Sequence, residues 1–242
     1  MGTMSLRPKL YRYNALDAVA VAAYTGLTLL FVFAGGSVQR LMLEVFRDPA
    51  TASYAINAIF YAAVGIFALA SAWRVARRDL GILGTRPWFT LGMVPLAVVV
   101  MLIVTAILLG VLGGAQSSQN QLGIQGMLQQ VPAWLMVPLL VVLGPFVEEY
   151  LFRHLLIGKL SQYVNLWICC GISVVVFASI HVVGREGLVL QALAPYLGMA
   201  VVLVAVYVWT GKNLMFSYLV HAAKNLLAVL LIYAVPADLL PN

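Results

Sequence analysis

Charge is what this sequence has least of: Asp, Glu, Lys and Arg make up 9% of its 242 residues, against 63% hydrophobic residues. With a mean hydropathy of +1.00 and repeated apolar runs near the roughly 20 residues that cross a bilayer, the chain is excluded from the ordinary soluble domains. Cysteine is nearly absent too. Cys169 and Cys170 are adjacent, which is poor geometry for a disulfide and the wrong spacing for a metal knuckle, so both read as small buried hydrophobes. No Ser/Gly-rich or Pro-rich linker divides the chain, and residues 1–242 read as a single integral-membrane domain. There is no GxGxxG, Walker A or HExxH pattern and no internal repeat. The formal net charge of +6 comes from basic residues scattered among short loops, not gathered on an aromatic-bearing face, so no nucleic-acid partner is expected.

What is present is a succession of apolar runs. They predict an all-α, polytopic transmembrane helix bundle of about seven spans: Ala15 to Ala34, Thr51 to Trp73, Trp88 to Leu112, Pro132 to about Lys159, Tyr163 to Val183, Val189 to Thr210, and Asn213 to Val235. The first run is too long for a signal-peptide core and reads as a retained helix. With the N-terminus inside, Arg7, Lys9, Arg12, Arg74, Arg77, Arg78, Arg86, Arg153, Lys159 and Lys212 fall on the cytoplasmic side, against Arg40, Arg47 and Arg185 outside. The odd span count then puts the C-terminus outside a cell membrane. The uncharged stretch from Gly113 to Gln130, rich in Gln, Ser and Gly, reads as an external loop. Trp73, Trp88, Trp134, Trp167 and Trp209 lie mostly near span ends and read as interfacial anchors.

Against this background three ionisable side chains in the run Glu148, Glu149, Tyr150, Leu151, Phe152, Arg153 are the first functional suspects. An ionisable group at membrane depth is costly and persists mainly where it faces a protein interior or a water-filled cavity. Glu149 and Arg153 are four residues apart and share a helix face, while Glu148 is rotated roughly 100° from Glu149 and faces another neighbour. The chain has only 3 histidines. His181 closes the fifth span, four residues after Phe177; His221 lies in the seventh, four residues before Asn225. A helical turn near Ser161 would leave Glu148 roughly 20 Å and His181 roughly 30 Å from it, a mismatch that a tilted or broken helix absorbs, and Pro138 and Pro145 supply a kink. His221 lies about 12 Å in from the same side, so a shared cavity open to the cytoplasm is expected.

This ordered pattern, Glu148, Glu149 and Arg153, then Phe177 and His181, then His221 and Asn225, resembles the CAAX protease and bacteriocin-processing (CPBP, or Abi) family of intramembrane proteases. The resemblance covers a motif-bearing core of residues 132–235; the first three spans match only in being hydrophobic. It implies an intramembrane endopeptidase acting on a peptide or prenylated-protein substrate within membrane lipid. Glu148 is the implied general base, His181 its partner, and Glu149 and Arg153 orient Glu148, with His221 and Asn225 polarising the scissile carbonyl and its oxyanion. The metalloprotease alternative has His181, His221 and Glu148 holding zinc, since two imidazoles and one carboxylate meet the ligand count of a catalytic zinc. Sequence leaves the two mechanisms open.

Blander readings stand beside these. Glu149 with Arg153 is also an ordinary i,i+4 ion pair, His181 also a core histidine, and His221 with Asn225 also interhelical glue. His154 matches no motif position and reads as interfacial. Lys224, beside Asn225, is not required by the pattern; it would pair with a carboxylate, snorkel, or alter the field of the site. The rival function is a non-catalytic membrane binding or bacteriocin-immunity protein on the same fold. A transporter is more distant, since no duplicated halves are visible.

Overall fold

The computed structural model describes residues 9–114, 116–182 and 190–234. The predicted span ends Val183, Val189 and Val235 and the charges Arg7 and Arg185 lie outside them. The described residues form a polytopic all-α bundle: α1 (Ala15–Phe46), α2 (Pro49–Gly84), α3 (Pro87–Val111), α4 (Gln119–Gln130), α5 (Ala133–Gln162), α6 (Leu166–Ile180), α7 (Leu190–Trp209) and α8 (Leu214–Ala234). Six of these, all but α4 and α6, are long and apolar enough to cross a membrane. α6 is an apolar helix of 15 residues. The bundle's outer faces carry large exposed apolar side chains such as Phe33, Ile66, Val99, Ile107 and Leu231, a surface suited to lipid.

Local chemistry explains the hairpin that starts the bundle. Asn14 and Asp17 form a reciprocal cap at the start of α1. At its end Arg47 adopts a left-handed backbone, φ 58°, and Asp48 then caps α2 by accepting from the Thr51 N–H at 2.7 Å, with Pro49 in the first turn. α1 and α2 therefore run antiparallel and extend well past the predicted span ends at Ala34 and Trp73. The Gly113 to Gln130 stretch is not wholly a loop: Ser118 caps α4 through the Gln121 N–H, and Met127 and Leu128 bury against the bundle.

α5 is the central element. Two of its segments, Pro138–Leu143 and Tyr150–Lys159, are wound in wide i→i+5 turns. In the first, the Gly144 N–H reaches Leu139 O; the same register would ask residue 145 to donate to Leu140 O, but Pro145 has no N–H. Side chains from outside α5 satisfy such carbonyls. Asn225 Nδ2 donates to Leu140 O at 2.9 Å, Ser173 Oγ to Phe152 O at 2.7 Å, and the Tyr13 hydroxyl to Leu155 O at 3.1 Å. The prolines thus produce an irregular helix whose exposed backbone is tied to its neighbours, as membrane burial requires.

The end of the bundle near residue 15 is bound by buried polar groups. The Asp17 carboxylate accepts from Ser71 Oγ (2.5 Å), the Tyr150 hydroxyl (2.6 Å) and Lys159 Nζ (2.6 Å), joining α1, α2 and α5. Asp79 pairs with Arg78 at 2.6 Å and accepts from the Leu214 N–H at 2.6 Å, joining α2 to the start of α8. The Tyr11 hydroxyl donates to Lys212 O and accepts from Arg78, and burial raises its phenol above its ordinary pKa, keeping it a neutral donor. Arg153 and Lys159 are 0% and 1% exposed, so neither is a loop charge, and both leave the inside-outside tally. His154 is also corrected: it is fully buried between the rings of Tyr11 and Tyr150, not interfacial.

Candidate active site

Glu148 and Glu149 sit near the middle of α5, and their neighbours are the motif residues of α6 and α8. α6 begins only at Leu166, so His181, at its C-cap, lies about 22 Å along from its start, and Glu148 about 21 Å from Gln162. The expected depth mismatch vanishes because α6 is short. It ends within the thickness of a bilayer core of about 30 Å, which puts an imidazole at membrane depth.

Each motif side chain has a distinct partner. His181 Nδ1 lies 2.7 Å from Phe177 O; a carbonyl only accepts, so Nδ1 donates to it, and Nε2 lies 3.8 Å from Glu148 Oε1. His221 Nδ1 lies 3.0 Å from Glu149 Oε1, so it donates there and turns its Nε2 toward Glu148 Oε2 at 3.6 Å. Glu149 Oε2 also accepts from Ser217 Oγ, and Arg153 Nη1 lies 3.4 Å from Glu149 Oε1. Two imidazole nitrogens thus face one carboxylate across gaps a little longer than a hydrogen bond. Gaps of that length suit a bridging water.

Phe177 explains why a phenylalanine precedes the histidine by four. Its ring lies 4.6 Å from the His181 ring, 6.0 Å from that of His221 and 4.4 Å from the Arg153 guanidinium carbon. It is the floor on which all three rest. The guanidinium makes no hydrogen bond among the described residues and is held by the Glu149 charge and this ring face.

Two residues absent from the sequence reading complete the cluster. The Tyr61 hydroxyl, from α2, donates to Glu148 Oε1 at 2.7 Å. Tyr196, from α7, stacks on His181 with centroids 4.6 Å apart, its hydroxyl 2.9 Å from Ser118 Oγ at the start of α4. Lone tyrosines in apolar spans carry no sequence signal for either contact. Asn225 spends one amide N–H on Leu140 O, so interhelical glue is part of its role, and its second N–H makes no hydrogen bond among those described.

These residues border a cavity of about 950 Å³ lined by Glu148, His181, His221, Lys224 and Asn225, with Phe31, Ile56, Phe60 and Ile232 among its apolar walls. It reaches from the glutamates toward α4 and the far half of α1. The start of α1 lies at the opposite end, where Tyr13 and Asp17 meet Leu155 and Lys159. The two imidazoles approach different oxygens of Glu148, and among the described residues no three His, Cys, Asp or Glu side chains are placed to hold a metal ion. The zinc ligand set does not fit this arrangement.

A polytopic helix bundle with a buried glutamate and histidine centre is the class that these features define. Residues 130–227 match the type II CAAX prenyl endopeptidase Rce1-like family. The chain is similar to the membrane-embedded CAAX protease MroQ of Staphylococcus aureus (strain USA300), 28% identical over 145 residues, or 57% of this chain and 55% of the relative. The chain thus spans about half the length of the curated relative it matches. No solved structure matches. Both matches are to CAAX-type proteases, the kind of protein that the ordered Glu, His and Asn pattern resembles.

Proposed function

We propose that the chain is an intramembrane endopeptidase of the CAAX-protease type, in which Glu148 activates water for attack on a peptide bond. The carrying observation is Glu148 at the cavity wall, held by Tyr61 and flanked by the His181 and His221 Nε2 atoms at 3.8 and 3.6 Å. Water lodged there gives a proton to Glu148 as its oxygen bonds to the scissile carbonyl carbon. The carbonyl electron pair moves onto oxygen, and collapse breaks the C–N bond as Glu148 returns the proton to the leaving amine. His181 aligns the water. Glu149 and Arg153 act through His221, fixing its tautomer, and the second N–H of Asn225 supports the oxyanion. No step is routed through a metal.

The test is cleavage of a panel of plain and prenylated peptides by the purified protein in detergent. Glu148→Gln and His181→Ala are each expected to lower the rate about 10²- to 10⁴-fold with thermal unfolding unchanged, and chelators to leave the wild type active. Wild-type turnover in either variant removes that residue from the mechanism. Chelator inactivation restored by zinc reinstates the metal reading, and binding without cleavage favours the non-catalytic immunity or binding function.

For orientation we infer a cytoplasmic N-terminus and external C-terminus, supported by Arg12, Arg74, Arg77 and Arg86 near one end of the bundle. The cavity then opens away from the cytoplasm. Reporter fusions at Asn242 should be active outside; activity restricted to the cytoplasm reverses both assignments.

A further inference from the structure

Lys224 is the cation for which neither the motif nor the proposed chemistry has a use. It is the eleventh residue of the 21-residue helix α8, about 15 Å from either end. A lysine stem is too short to carry its ammonium from there to a headgroup layer. Its side chain is half-buried and lines the same cavity as Glu148, His221 and Asn225. Among the described residues its ammonium donates to the neutral Asn225 Oδ1, at 3.4 Å. Among the described residues every ion pair within 4.0 Å involves some other cation: Arg78 with Asp79, Arg153 with Glu149, Lys159 with Asp17, and the two histidines with the glutamates. A cation held at membrane depth, facing a cavity and without a carboxylate of its own, is placed to receive one.

Position limits where that carboxylate can be. Lys224 follows His221 by three residues, so the two side chains leave one helix face 5 to 6 Å apart, and the ammonium reaches roughly 6 Å further. A carboxylate bound there lies roughly 5 to 10 Å from a carbonyl held at Glu148 and His221, a span of about one to three extended residues. The apolar wall of Phe31, Ile56, Phe60 and Ile232 suits uncharged side chains on the intervening chain.

We propose that Lys224 is the carboxylate-reading subsite of the cavity, binding an anionic group that the peptide substrate carries about one to three residues from the bond that is cut. The proposal rests on the peptidase reading for the words substrate and cut, but its binding part stands without it. The shared chemistry is a carboxylate, from either a C-terminus or an Asp or Glu side chain. A lysine acting only as a distant counter-charge to Glu148 would change the rate for every peptide alike, with no preference among peptide ends.

The experiment separates these. The Glu148→Gln protein, whose turnover is expected to be about 10²- to 10⁴-fold slower, is titrated in detergent with a fluorescein-labelled mixture of apolar hexapeptides. These are supplied as free acids, as C-terminal amides, and as amides with one aspartate in the last three positions. The free acids, the aspartyl amides, or both should bind about 10- to 100-fold tighter than the plain amides, the range of a hydrogen bond to a charged group, and whichever does names the source. Lys224→Gln on the same background should erase the difference and Lys224→Arg should keep it. Equal affinity for all three sets overturns the proposal without any variant, as does a preference that survives Lys224→Gln. Cleavage of the same sets by the wild type tests the other reading: preference without cleavage removes the peptidase and leaves the subsite, while cleavage without preference removes only the subsite.

Discussion

Two buried polar clusters share helix α5, and they are built on opposite terms. Around Asp17 every oxygen is supplied: Ser71 and Tyr150 donate to Oδ1, Lys159 and the Asn14 backbone N–H to Oδ2. Around Glu148 the supply runs out. One tyrosine donates to Oε1, and the two imidazole Nε2 atoms stand off at 3.6 and 3.8 Å beside a cavity of about 950 Å³. A saturated cluster in low dielectric fixes one arrangement, because any change leaves a buried group unpaired. A cluster short of donors, with room next to it, is completed by what enters the cavity. Tyr150, adjacent to Glu149 in sequence, joins the rigid cluster to the reactive one, so the first helps hold the depth of the second.

The comparison breaks if the two clusters respond alike to mutation. The largest effect on folding is expected at Lys159→Met, which strands the Asp17 carboxylate with its neutral donors; loss of one partner of a buried pair costs about 3–5 kcal/mol. Thermal unfolding in detergent should fall sharply, and the double variant Asp17→Asn, Lys159→Met should recover most of the loss. Little change in unfolding would mean that water reaches Asp17 and that the cluster is not a closed one.

Asn225 lies between the two kinds. Its amide donates to the carbonyl that Pro145 leaves without a partner and also reaches the cavity. Asn225→Ala is therefore expected to lower kcat about 10²- to 10³-fold, as for loss of one oxyanion donor, with KM nearly unchanged. It should also lower stability by about 1–3 kcal/mol for the orphaned Leu140 carbonyl. A stability loss with full kcat would leave Asn225 as glue alone.

How much of this was legible depended on contrast. Glu148, Glu149, Arg153, His181 and His221 stood out because charge and histidine are rare in the chain, and the helices because their apolar runs match a bilayer. Asp17 carries the same signal, an acid inside an apolar run in a chain with only 8 Asp and Glu, and counting acids span by span would have found it. α4 was hidden because a Gln-rich, uncharged helix has neither apolar periodicity nor charge pairs; its cap at Ser118 was the one available cue. Lys159 counted with the cytoplasmic charges because hydropathy cannot distinguish a lysine that faces water from one aimed at an aspartate on another helix. The direction of the cavity was equally hidden, since it follows from where α6 stops and on which half of the bundle α4 lies.

Tyr61 sharpens the comparison with the smallest expected effect. Its hydroxyl is the one neutral donor on Glu148 among the described residues, and it comes from α2, outside residues 130–227. The N-terminal helices would then be part of the working site and not only its casing. Tyr61→Phe keeps the ring, and with it the edge-on contact to Phe60, but removes the donor. Glu148 would lose one of the contacts that aim Oε1 and gain freedom to turn away from the water. Loss of a hydrogen bond to a charged group, about 1.5 kcal/mol at the low end, predicts a fall in kcat of about 10-fold, with KM and unfolding temperature nearly unchanged, because Tyr61 acts through Glu148 and not on the peptide. Tyr61→Phe added to Glu148→Gln should cost little more than Glu148→Gln alone, since a residue that acts only by aiming another has nothing left to aim. If the two losses multiply, Tyr61 works independently of Glu148, and the under-supplied carboxylate is not what this hydroxyl serves.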